Sequence, residues 1–202
     1  FSKLSNVGFT RLYDVETCAR STCPIFIPGR ASAYSFRNTS YRSQALSELV
    51  YEDGSFKLRG INTLGFLTEL GKEQIEDLGL GSPGILEMAK FKPSSYMSVV
   101  EKQYLVARNG FQIGEHIYKT ELSIKAGTTY ALRSIAYKAD LPKEIKGIHR
   151  KILLRDKKKD TLVVFKVIRK HDNGSVSLLW RVLASKESPK LGFREPTKPK
   201  LK

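Results

Sequence analysis

Three arginines and two tyrosines share the stretch PIFIPGRASAYSFRNTSYRS, residues 24–43. A guanidinium grips carboxylates and phosphates through paired N–H donors, and aromatic rings beside it stack on bases or sugars. Arg30, Tyr34, Arg37, Tyr41 and Arg42 are therefore candidate binding residues. The same stretch also reads as a half-buried strand. Across 32–37, Tyr34 and Phe36 point to one side while Ala33, Ser35 and Arg37 point to the other.

A second set is purely cationic. Asn173-Gly174 predicts a two-residue turn inside TLVVFKVIRKHDNGSVSLLWRVL. Pairing Asp172 with Ser175 sets Val167 opposite Trp180, Phe165 opposite Val182, Lys166 opposite Arg181 and Ile168 opposite Leu179. Val163, Phe165, Val167, Leu178, Trp180 and Val182 then share one side, and a one-residue slip would split them. Like charges placed across a ladder are destabilising, and a bound anion relieves that cost. Lys151, on an expected strand over 148–154, and Arg155 at its end extend the strip, with Lys157, Lys158 and Lys159 in the connection and Lys170 on the hairpin. The expected anion-binding set is Lys151, Arg155, Lys166 and Arg181. Its structural alternative is a row of solvated lysines that keeps a sheet edge from aggregating.

Other chemistry is thinly represented. Cys18 and Cys23, in CARSTC, could close a small disulfide in an oxidising compartment or stay thiols in a reducing one. A zinc site would need more ligands, and His116, His149 and His171 are scattered. No nucleophile elbow, phosphate loop or paired-histidine motif is present, so no cofactor is implied. GLGSPG precedes a helix, but Pro83 removes one of the amides an anion would use. The glycosylation matches at Asn38 and Asn173 have a plainer account at Asn173 as a turn residue.

The elements that must position these residues are mostly short strands. Phe9–Tyr13, Ile25–Ile27 and Ala33–Arg37 are brief and β-prone, and Asp53-Gly54 marks a tight hairpin. LGFLTELG reads as a strand. IYKTELSI and TYALRSIAY read as two strands of a hairpin joined at KAGT. Between them, 72–110 reads as a helical insertion. GKEQIEDLG forms one short helix at most, Ser82 caps a second with Pro83 at its first position, and Tyr96, Val99, Val100, Tyr104 and Ala107 form the stripe of a third. The expected fold is mainly β, an antiparallel sandwich or half-open barrel, with one domain over 1–185 and a basic, proline-containing tail over 186–202.

Charge sets the functional expectation. The chain of 202 residues carries a net +15. Residues 150–202 hold 16 Lys or Arg against 5 Asp or Glu, a net of +11, and residues 1–149 hold 19 against 15, a net of +4. The chain is thus expected to be a non-catalytic binding module for a polyanion: nucleic acid, acidic polysaccharide, anionic lipid or acidic protein. The alternatives are an exported assembly domain with pairing edge strands, or an enzyme. The enzyme would hold an anionic substrate with Arg30, Tyr34 and Arg37 and use a glutamate as base. No apolar run is long enough to span a membrane. The paired cysteines and a start at Phe1 lean towards an exported protein.

Overall fold

The computed structural model describes residues 6–16, 32–139 and 156–192. Alternating apolar residues divide most of these into twelve strands: β1 Val7–Leu12, β2 Ala33–Ser35, β3 Ser40–Tyr41, β4 Leu49–Glu52, β5 Ser55–Leu58 and β6 Thr63–Gly71, then β7 Phe111–Ile113, β8 His116–Lys119, β9 Glu121–Ser123, β10 Thr129–Ala136, β11 Lys159–Lys170 and β12 Val176–Glu187. Two helices, α1 Ile85–Lys90 and α2 Met97–Asn109, lie between β6 and β7. Seven strands form one antiparallel sheet in the order β1-β12-β11-β10-β6-β8-β7, and five form the other in the order β3-β2-β4-β5-β9. The sheets are stacked as a sandwich and do not close into a barrel.

The stacking follows from the period-2 pattern. Tyr34, Phe36, Leu49, Phe56 and Leu58 of the smaller sheet and its loops meet Tyr130, Leu132, Val163, Phe165, Val167, Leu178 and Trp180 of the larger. Phe165 packs edge-on to Phe56 and stacked with Tyr130, at 5.2 and 5.4 Å between centroids. Gly8 lies opposite Trp180 and leaves room for the indole; a Cβ there would sit 2.1 Å from the ring. The outer face of the larger sheet carries Phe66, Ala131, Leu162 and Val164, covered by Ile75, Leu78, Ile85 and Met88.

The β11–β12 hairpin corrects the expected register. Its loop holds three residues: His171 N–H donates to Ser175 C=O (2.8 Å), and Gly174 takes a φ of 76°. A second slip occurs at Ile168, which bulges out half-exposed between the Val167↔Leu178 and Arg169↔Ser177 pairs. Phe165 therefore faces Trp180, Lys166 faces Leu179 and Val164 faces Arg181. The two slips add to two residues, and an even shift preserves the face. The apolar set stays together, but Lys166 and Arg181 are not a cross-strand pair.

Three further expectations change. IYKTELSI breaks at Thr120, where the chain passes from β8 in the larger sheet to β9 in the smaller, so TYALRSIAY pairs with β6 and β11 instead of forming a hairpin with it. GKEQIEDLG is a run of turns, not a helix. The next helix starts two residues later than expected, with Gly84 (φ 76°) at its N-cap, while Ser82 Oγ accepts from Gly79 N–H (2.9 Å). The Asp53-Gly54 hairpin forms as expected, both residues having positive φ.

Candidate anion-binding surface

The aromatic and arginine cluster turns inward. Tyr34 is buried, packed edge-on to Phe36 and Tyr41 and tilted against Trp180, and burial pushes its hydroxyl up to about 12. Arg37 is buried among acids. Its Nε and Nη2 donate to the two Asp156 oxygens (3.1 and 3.0 Å), Nη1 lies 3.2 Å from Glu48 Oε1, and Nη2 also donates to Leu46 C=O. Its backbone N–H donates to Glu48 Oε1 as well (3.0 Å). Arg42 is half-buried, with Nε donating to Ser40 Oγ (3.2 Å).

Tyr41 joins the sheets. Its hydroxyl accepts from Thr10 Oγ1 (2.6 Å) and Arg11 N–H (3.0 Å) and donates to Arg11 C=O (3.1 Å). Tyr41→Phe is expected to cost about 1–2 kcal/mol, because it strands the Arg11 peptide groups and leaves the ring in place. A lower urea midpoint at unchanged slope is the measurement.

The hairpin cations are also engaged. Arg181 Nη1 lies 3.3 Å from each of the carbonyls of Ile75, Glu76 and Leu78, and Lys166 Nζ donates to Glu73 C=O (3.2 Å) and Gln74 Oε1 (2.9 Å). Both side chains hold the 73–78 turns against the outer face of the sheet. Cys18, Cys23, Arg30, Lys151 and Arg155 lie outside the described residues, as do the expected strands over 25–27 and 148–154.

The ladder gathers a different group of cations. At the end of the larger sheet where β10 finishes, β11 begins and β12 ends, Lys138, Lys159 and Lys186 surround Glu187 and Asp160. Glu187 lies 2.7 Å from Lys138 and also receives the Lys159 ammonium. Hydrogen bonds from these two lysines hold the solvent-facing Glu187 carboxyl down to about 2. Lys186 Nζ is 3.4 Å from Asp160, whose carboxylate is already held by Arg133, so its charge is only partly balanced. Exposed Lys157 and Lys190 flank the group, Lys190 through its bridge to Lys138. Sequence reading found Lys157–Lys159 as a connection but missed Lys138 and Lys186. They are distant along the chain, and only the strand pairing brings them together.

Two concavities are lined by described residues alone. One of about 520 Å³ lies between α2 and 60–63, and one of about 230 Å³ lies between α1 and β7. Neither is lined by Tyr34, Arg37, Tyr41 or Arg42. Among the described residues no three His, Cys, Asp or Glu side chains converge as a metal site, and no helix is long and apolar enough to cross a membrane. No protein-family model, curated protein or solved structure matches the chain.

Proposed function

We propose that this protein binds a polyanionic chain, a sulfated polysaccharide or a nucleic acid, through the lysine-rich end of its larger sheet. The observation that carries this reading is the convergence of Lys138, Lys159 and Lys186, with exposed Lys157 alongside, around two carboxylates of which one, Asp160, is already held by Arg133. Lysines are compact point charges without a bidentate fork, so they suit a row of repeated phosphates or sulfates better than a single carboxylate. The charge of the sequence supports the same end. Residues 140–155, which separate β10 from β11, hold five Lys or Arg against two acids, and 193–202 hold four against one. Lys166 and Arg181, tied to backbone carbonyls, serve the fold in this reading.

The test is retention on immobilised heparin and on immobilised DNA under a rising salt gradient. Affinity driven by counterion release falls steeply with salt, by close to one power of the salt concentration for each phosphate that the protein neutralises. Combined Lys138→Glu, Lys157→Glu and Lys186→Glu changes are expected to move elution to much lower salt. Glu187→Gln frees two lysines and is expected to delay elution. Lys166→Ala is expected to leave elution where it was. Elution of the unmodified protein below physiological ionic strength overturns the proposal.

A further inference from the structure

Helix α2 is thirteen residues long and only its Ala107 is fully buried. Isolated helices of this length are marginal in water and depend on packing of an apolar face. Yet Tyr104, Leu105 and Val106 are 39%, 53% and 53% exposed. The 520 Å³ hollow lies on the same flank, lined by Met97, Val100, Glu101, Tyr104 and Leu105 of the helix and by Tyr137 and Leu191 beneath it. This is an apolar valley with one open wall.

The charges beside it say what fits there. At 100° per residue, Glu101, Tyr104, Leu105 and Arg108 fall on one stripe, at spacings of three, four and seven. Glu101 and Arg108 are both exposed, and neither has an ion-pair partner among the described residues. Their own helix offers none. Three and four residues from Glu101 stand Ser98, Tyr104, Met97 and Leu105, and the same spacings from Arg108 reach Leu105, Tyr104, Phe111 and Gln112. The stripe is, however, its own complement when reversed. With a two-fold axis between residues 104 and 105, Glu101 meets Arg108 of the opposing helix at each end, and Tyr104 meets Leu105 at the centre. A two-fold interface demands this reciprocity, in which residue i touches j and j touches i.

We propose that α2 is the self-association surface of this protein. Two copies pack their α2 helices antiparallel, with Tyr104 and Leu105 closing the valley and Glu101–Arg108 pairs flanking it. A thirteen-residue helix spans about 20 Å, so the contact is smaller than the ~800 Å² per partner of standard interfaces and the dimer is a weak one.

Sedimentation equilibrium of the full 202-residue chain from about 10 μM to about 1 mM reads this directly, concentrations chosen to bracket a weak complex. The weight-average mass is expected to rise from monomer towards dimer. Leu105→Asp is expected to hold it at monomer throughout. Glu101→Arg alone sets four cations around the axis and is expected to weaken association at least tenfold. Glu101→Arg with Arg108→Glu restores opposite pairing and is expected to recover it. All these side chains are exposed, and an unchanged thermal midpoint shows that the variants fold. A monomer at every concentration overturns the proposal, whatever else covers the valley, and so does a dimer indifferent to Leu105→Asp or a double swap that fails to recover. Heparin retention of the Leu105→Asp monomer distinguishes this proposal from the polyanion proposal, which rests on other residues.

Discussion

Arg37→Met is expected to lower stability at neutral pH by about 3–5 kcal/mol, the scale for removing one partner of a buried ion pair. For a chain of this length that is a fall of roughly 6–20 °C in melting temperature. The cost has a specific origin. Arg37, Glu48 and Asp156 are all buried, and among the described residues the guanidinium is the one cation lying between the two carboxylates. Lys158 reaches only Asp156, at 2.7 Å. Burial alone would raise the Asp156 carboxyl, but hydrogen bonding and charge from Arg37, then from Lys158, outweigh it and hold the group below its ordinary value of 3.8.

The pH dependence follows from that direction. The folded value is depressed, so Asp156 contributes stability that is fully present above its unfolded value and lost as pH falls from about 4 through the lower folded value. In Arg37→Met only Lys158 remains to offset burial, so this contribution shrinks and the variant should recover part of its deficit as the pH is lowered towards 4. Urea unfolding of both proteins between pH 4 and 8 checks this. A deficit constant across that range would show that the loss is one of packing rather than charge.

Arg133→Met is expected to be comparably damaging, at about 3–5 kcal/mol, and to act on a different part of the molecule. Arg133 Nε and Nη2 donate to the two Asp160 oxygens (2.9 and 2.8 Å). Nη1 turns the other way and donates to the carbonyls of Met88 and Phe91 (2.7 Å for the latter) at the C-terminal end of α1. One side chain thus neutralises a buried carboxylate and donates to carbonyls at a helix end, where intrahelical donors run out. The variant leaves Asp160 with only the longer contact to Lys186 and takes a donor from the carbonyls of Met88 and Phe91. Hydrogen exchange should therefore accelerate first over 85–91, ahead of the β11–β12 ladder, because the layer on the outer face loses its tie before the sandwich core does. Arg133→Lys would keep the charge but not the fork, and is expected to recover only part of the loss.

What could be read from the chain, and what could not, divides along the range of the physics involved. Alternation is local, so the inward face of β11 and β12 was legible, and it survived a register error because two single-residue slips at the loop and at Ile168 preserve parity. Asp53-Gly54 was legible for the same reason: positive φ at adjacent positions is a local demand. The exchange of sheets at Thr120 was not, since a strand alternates in the same way whichever sheet it joins. Residues 72–79 looked weakly helical, but their conformation is set from outside by Lys166 and Arg181, which bind their carbonyls. The candidate surface shows the same division. Tyr34 and Arg37 carry residue types suited to ligands, yet their inward direction is decided by Glu48, eleven residues from Arg37, and by Trp180 and Asp156, far away in sequence. Lys138 and Lys186 carry no local signal, and only the pairing of three strands makes them neighbours.

The hydroxyl of Tyr41 has a consequence outside this molecule. A strand at the margin of a sheet offers a row of empty donor and acceptor sites on which a foreign chain can nucleate a fibre. At Arg11 both sites turned away from β12 end on one phenol, so the row is interrupted near its end. An incoming strand would find only the short run around Phe9, too brief to template growth, and removing one oxygen atom would lengthen that run.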